Sequence, residues 1–254
     1  MSGGHASRLY VSRDSPVHRL PAQTKIAALL AFVLLMVSTP RDAYWAYGAY
    51  ALLLVGTAML AKVPLTLIAR RMTVEIPFVI FALLIPFFAA GEQTQILGVS
   101  VSVTGVHAML NILAKATLGV FASVLLAATT DLREILLGLE RLRMPSIMVQ
   151  IASFMLRYTD VIAGELERMR IARESRGFVA RDVRQLPVVA TSAGALFIRA
   201  YERGERVHLA MLARGYTGTM PARPGQSASA REWATAALLP GAALLVVVVA
   251  WWIR

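Results

Sequence analysis

Two stretches of this chain repeat one arrangement of residues 38 positions apart: Ala172-Arg173-Glu174-Ser175-Arg176-Gly177-Phe178 and Ala210-Met211-Leu212-Ala213-Arg214-Gly215-Tyr216. Each sets a small residue, an arginine, a glycine and an aromatic in order at the end of a helical pattern. A glycine in the left-handed conformation stops a helix abruptly, so the arginine before it projects from a rigid tip. A guanidinium held that way offers a planar fork of donors to a carboxylate. The small residue, Ser175 or Ala213, lets another backbone approach. The chemistry implied is pairing with a carboxylate rather than bond breaking. An arginine near a helix C-terminus also complements the macrodipole by about 0.3–1 kcal/mol, and for one copy either account serves equally well. Two matched copies ending consecutive helices favour a functional role.

Little else in the chain is suited to catalysis. Cysteine is absent, which excludes disulfides, thiolate chemistry and cysteine-ligated metals. His5, His18, His107 and His208 show no metal-ligand spacing, and no glycine-rich phosphate loop is present. The chain is therefore expected to be no enzyme, to hydrolyse no ATP itself, and to carry no cofactor and no metal. Lys115 lies inside an apolar stretch, where a charge is expected to have a role. Pairing with Glu75 or snorkelling is expected of it rather than an ion pathway.

The elements that must position the two tips follow from composition. The chain has 254 residues, 57% hydrophobic and 16% charged, with mean hydropathy +0.61. Soluble domains carry about 45–50% apolar and about 25% charged residues, so an all-α polytopic membrane protein is expected. Five windows approach the roughly 20 apolar residues that a bilayer crossing needs: residues 26–38, 44–61, 74–90, 106–128 and 233–253. A sixth short crossing or re-entrant piece around 96–106 carries low weight. The expected organisation is an N-terminal segment (1–25), four spans (26–128), cytoplasmic coupling helices (129–216), a linker (217–232) and a last span (233–254). Nothing in the polar first 25 residues reads as a cleaved leader.

Charge sets the expected orientation. Of the 26 Lys+Arg that give the chain a formal net charge of +11, 16 lie in residues 129–232, all of them arginines, among 11 carboxylates. Four more precede the first span and three lie between the second and third. Excess Lys/Arg marks the cytoplasmic side, so the N-terminus and the long basic segment are expected in the cytoplasm. That segment reads as three helices. The first is capped by Thr130 and ends near Met144–Pro145; the second runs from Ser146 to about Arg176; the third runs from near Asp182, through Pro187, to Arg214.

Several motifs then resemble one family, the T component of energy-coupling-factor (ECF) transporters, and most of all its cobalt-type (CbiQ-like) members. Asp14-Ser15-Pro16-Val17-His18-Arg19-Leu20 followed by Lys25 resembles that family's amino-terminal stretch. Leu132 to Pro145 resembles the helix opening its coupling region, Leu156-Arg157-Tyr158 a position in the next helix, and the Arg-Gly tips its paired Ala-Arg-Gly signatures. Ser175 departs from the pattern by replacing one small residue with another. The resemblance implies a multi-pass subunit in a bacterial or archaeal plasma membrane, with two ABC-type ATPase subunits and a substrate-binding S component as partners. It implies ATPase docking by Ser175, Arg176, Gly177, Ala213, Arg214 and Gly215, with support from Arg157, Arg173 and Pro145. The apolar start of the second helix, residues 147–156, would grip the S component, and Met144, Met148, Met155, Met169 and Met211 suit an adaptable interface. The cargo, cobalt or nickel ion, biotin or another vitamin, is not readable from this chain. Two other classes stay in view. A self-contained transporter lacks support from paired intramembrane acids or broken helices. A basic nucleic-acid or lipid docking protein is disfavoured by the 11 interleaved carboxylates, so no nucleic-acid partner is expected.

Overall fold

The computed structural model describes residues 10–89, 93–96, 99–178, 186–218 and 228–253. The described elements are α1 (Pro16–Arg19), α2 (Ala22–Val37), α3 (Tyr44–Leu60), α4 (Leu65–Arg71), a 3₁₀ turn (Met72–Glu75), α5 (Ile76–Phe88), β1 (Gln93–Ile96), β2 (Val99–Ser102), α6 (Val103–Thr129), α7 (Leu132–Arg141), α8 (Ser146–Glu174), α9 (Leu186–Leu212) and α10 (Ala230–Trp252). The all-α membrane class expected from composition is what the structure has. Three stretches are long and apolar enough to cross a bilayer: Leu65–Phe88, Val103–Thr129 and Ala230–Trp252. Two shorter apolar helices, Ala22–Val37 and Tyr44–Leu60, accompany them.

The chain divides into two compact units, α1–α7 with α10, and α8 with α9. In the first unit α2 packs against α10, α6 and α7, while α3 packs on α6 and α10 and α5 packs on α6. The core holds Phe32, Met36, Tyr47, Tyr50, Leu54 and Leu118 with Ala46, Ala122, Ala243 and Ala250. Lipid tails are as apolar as leucine, so helices in a bilayer associate by close packing, and small residues permit it. Phe32 meets Tyr50 edge to face at 5.7 Å. Most buried polar side chains here find partners: the Tyr50 and Thr39 hydroxyls lie 2.9 Å apart, and Asn111 Nδ2 donates to Tyr47 Oη at 2.9 Å, while the buried Thr130 hydroxyl has no partner among the described residues. Large apolar side chains such as Phe78, Phe81, Phe88, Leu238 and Leu245 face outward, as a lipid environment allows.

Three local expectations are corrected, and of the two alternatives for Lys115 the pairing with Glu75 is removed. Residues 93–96 and 99–102 pair as antiparallel strands, Gln93 with Ser102 and Ile96 with Val99, in place of a short crossing or re-entrant piece; Val99-Ser100-Val101-Ser102 alternates at the period of a strand. The third span starts at Leu65, so Arg70 and Arg71 sit on helix rather than in a loop. Thr130 does not cap α7. It is extended, follows α6 and is buried, and Asp131 is the residue that precedes α7. Lys115 Nζ donates to the Val37 carbonyl at 2.7 Å and the Thr39 carbonyl at 3.3 Å, while Glu75 accepts from the Thr117 hydroxyl at 2.8 Å. The lysine has taken the unsatisfied carbonyls at the end of α2, where a cation is favoured, in place of the carboxylate.

Candidate docking site

The second unit is an antiparallel helical hairpin. Its cross-helix contacts descend in order: Arg173 Nη1 donates to Ser192 Oγ at 3.3 Å, Arg203 pairs with Glu165, and Tyr216 Oη donates to Gln150 Oε1 at 2.7 Å. The start of α9 therefore lies beside the end of α8, and the end of α9 beside the start of α8. Between them Phe154, Tyr158, Ile162, Gly204 and Val207 line a groove of about 350 Å³. The expected start of this helix near Asp182, with Arg181 and Arg184, lies outside the described residues, as does Arg223 in the linker.

Both helix ends adopt the same backbone closure. Gly177 has φ +78° and Gly215 φ +83°, conformations that cost an L side chain about 1–2 kcal/mol. At the first tip Phe178 N–H donates to the Arg173 carbonyl at 3.1 Å and Gly177 N–H to the Glu174 carbonyl at 3.0 Å. At the second, Tyr216 N–H donates to the Met211 carbonyl at 3.0 Å and Gly215 N–H to the Leu212 carbonyl at 2.9 Å. This paired six-to-one and five-to-two closure is the Schellman motif, built twice with the same 38-residue offset.

The closure determines what faces outward. Ser175, Arg176 and Gly177 are exposed, as are Ala213, Arg214 and Gly215, while Phe178 and Tyr216 are half-buried. Tyr216 folds back and anchors its tip through Gln150, and both arginines are left exposed. Arg170, Arg203 and Arg206 take carboxylate partners; among the described residues no ion pair engages Arg176 or Arg214. The structure thus does not bring the two triplets together. It sets them at opposite ends of the hairpin, separated by the length of α8 from Gln150 to Arg176, about 40 Å at 1.5 Å per residue. Of the supporting residues, Arg173 bridges to α9, Pro145 precedes α8 with φ −52°, and Arg157 is exposed on α8.

The matched region covers both units. Residues 13–226 match the family described as cobalt transport protein, CbiQ. The chain belongs to that family. It is 25% identical to the energy-coupling factor transporter transmembrane protein EcfT of Bacillus subtilis, over 82% of this chain and 83% of that one. It is 30% identical to an uncharacterized protein of Methanocaldococcus jannaschii over 62% of this chain and 61% of the relative. It is 24% identical to a putative fused cobalt transport protein CbiMQ of Methanocorpusculum labreanum over 83% of this chain. The matches span 61% and 36% of the lengths of the last two. The resemblance read from residue motifs is to this same CbiQ family, a family of transporter membrane components rather than of enzymes.

The structure also explains the amino-terminal motif and adds residues that spacing did not reveal. His18 Nε2 donates to the Val11 carbonyl at 3.0 Å, Ser15 Oγ lies 2.7 Å from His18 Nδ1, and Val11 N–H donates to the Ala128 carbonyl at 3.0 Å. Since a carbonyl only accepts, Nε2 carries the proton and Nδ1 accepts from the serine. Burial holds the imidazole below its ordinary value of 6.5. On the exposed side Arg19 donates twice to Asp14, at 2.9 and 2.8 Å, and holds that carboxyl below its ordinary value. Lys25 Nζ donates to the Thr129 carbonyl at 3.0 Å, tying α2 to the end of α6. The other missed residue is Gly138 in α7. A Cβ there would stand 2.9 Å from Gln23 N and 3.0 Å from Ala22 C, so α7 lies directly on the start of α2. A glycine inside a helix costs roughly 1 kcal/mol against alanine, and Leu-Leu-Gly-Leu within an amphipathic helix was the available signal.

Proposed function

We propose that this chain is the transmembrane coupling subunit of an ECF-type ABC importer. It passes ATP-driven movement from two ATPase subunits to a substrate-binding S component, for uptake of cobalt or nickel ion or a vitamin. The observation that carries the reading is the pair of matched Arg-Gly tips at the two ends of one hairpin. Two ABC-type ATPase subunits offer two grooves, and a hairpin with equivalent ends about 40 Å apart engages one at each. Arg176 and Arg214 enter acidic grooves, where charge-assisted bonds are roughly twice as strong as neutral ones. Closure of the ATPases then moves the hairpin as a lever. Exposed Ile147, Met148, Ile151 and Met155 near the start of α8 supply an apolar surface for the S component. In this reading the N-terminus, α8 and α9 are cytoplasmic.

The test is the double variant Arg176→Glu with Arg214→Glu, expressed with its ATPases. Co-purified ATPase is expected to fall more than tenfold, on the order of the loss when a charge-assisted bond is replaced by repulsion, while the variant still inserts in the membrane. Undiminished ATPase recovery would sink the docking reading. Orientation is checked separately. The chain has no cysteine, so Thr217→Cys supplies a single thiol, and labelling by an impermeant maleimide in intact cells would reverse the assignment.

A further inference from the structure

The first unit contains a cleft that the docking reading does not use. It measures about 870 Å³, at the upper end of the roughly 300–1,000 Å³ typical of ligand sites. Its walls come from α2, α3, α6 and α10, and they are apolar over most of their height, with Leu53, Leu125 and Leu239 among them. Along α3 the lining runs from Leu52 to Leu60, about 12 Å of helix. That is close to one leaflet, half of the roughly 30 Å hydrocarbon layer.

The polar groups gather at one end. Lys25, Arg19 and Arg231 line it there with Glu232. The Glu232 carboxylate is occupied, accepting from Ser229 N–H at 2.7 Å and Ser229 Oγ at 2.8 Å, and the Asp14 carboxylate is taken by Arg19. Lys25 is 7% exposed, and its described partners are two carbonyls, those of Thr129 at 3.0 Å and His18 at 3.4 Å. An ammonium has three donors; among the described residues the Glu134 carboxylate of α7 acts on Lys25 through space, and no carboxylate makes a contact ion pair with it. A buried cation without a contacting anion is costly, so this end of the cleft suits one.

We propose that the cleft is a binding site for one anionic glycerophospholipid, its acyl chains between α2, α3, α6 and α10 and its phosphate against Lys25 and Arg231. Basic pockets between membrane helices take anionic headgroups for this reason. A neutral lipid would fill the apolar part and leave Lys25, whose charge only Glu134 offsets from a distance, without a contacting anion. The site holds the open seam of the bundle together, and it is independent of the docking of ATPases.

The experiment is native mass spectrometry of the full-length chain in detergent, offered equal phosphatidylglycerol and phosphatidylcholine. One phosphatidylglycerol is expected to remain bound, preferred on the order of tenfold, as two cations near a headgroup supply. Arg231→Gln, on the exposed rim, should lower that preference severalfold without reducing bound phosphatidylcholine. Gly56 lines the cleft, and a Cβ there meets nothing within 4 Å. Gly56→Leu therefore fills the space without a clash and should remove both lipids while gel-filtration elution is unchanged. Equal retention of the two lipids by the unsubstituted chain, or an Arg231→Gln variant with unchanged preference, overturns the proposal. Bound phosphatidylglycerol persisting in a normally eluting Gly56→Leu variant overturns it as well.

Discussion

The bundle and the hairpin solve the problem of stability in opposite ways. In the bundle, Phe32, Met36, Tyr50 and Leu54 are almost completely buried, and polar side chains such as Asn111 and Thr39 find partners inside the same unit. In the hairpin, among the described residues, only Val149 and Gln150 of α8 are buried. Phe197, Ile198, Tyr201, Leu209 and Met155 remain exposed, held by a few cross-helix polar contacts. Exposed apolar patches of this kind mark surfaces meant for partners. The difference teaches that the first unit is a finished structure and the second an unfinished interface, whose rigid parts are its two tips.

The largest effect should come from the tightest contact of the bundle. Gly138→Leu forces a side chain into the backbone of α2 and is expected to cost about 3 kcal/mol, the upper end for overpacking. It should lower the melting temperature of the detergent-solubilised chain, and an unchanged melting temperature would break the contrast between a close-packed bundle and a loose hairpin. In the hairpin, Glu165→Ala strands Arg203. Losing one partner of a fully buried pair costs about 3–5 kcal/mol, but these side chains are 14% and 29% exposed, so about 1–2 kcal/mol is expected. Faster hydrogen exchange confined to α8 and α9 would report it; acceleration throughout α2–α6 would contradict the division into two units. Smaller still, Gly177→Ala and Gly215→Ala each place an L residue at positive φ, for about 1 kcal/mol apiece. The amides of Phe178 and Tyr216 should lose protection in the corresponding variant, and equal losses at the two ends would sharpen the equivalence of the tips.

The smallest effect concerns pH. Because the folded state holds His18 below 6.5, the unfolded chain takes up the proton more readily. The stabilisation from neutral His18 is present above about 6.5 and is lost as pH falls through the lowered folded value. The Val11 amide, which donates to the Ala128 carbonyl, should lose hydrogen-exchange protection as pH falls through the lowered folded value, and His18→Gln should flatten that dependence. A response spread equally to the hairpin would blur the distinction between the units.

What the sequence by itself determined was much of what neighbours within about 20 residues govern, although the pairing of residues 93–96 with 99–102 and the place of Thr130 before α7, both local, were not among it. Hydropathy located five apolar helices, because the bilayer sets a length on each one separately. Gly177 and Gly215 announced two identical helix ends, because positive φ is a local constraint that glycine meets without cost. The repeated Arg-Gly-aromatic spacing marked the docking candidates for the same reason. Pairings across helices were decided only by the tertiary structure. Lys115 turned to the carbonyls of Val37 and Thr39 instead of Glu75, and Lys25 reached Thr129, 104 residues away. The helix α7, expected with the coupling segment, packs on α2 through Gly138. The two tips, alike in sequence, lie at opposite ends of one hairpin, since α8 and α9 run antiparallel. Which donor meets which acceptor depends on how helices cross, and crossing is set by side-chain packing that no window along the chain contains.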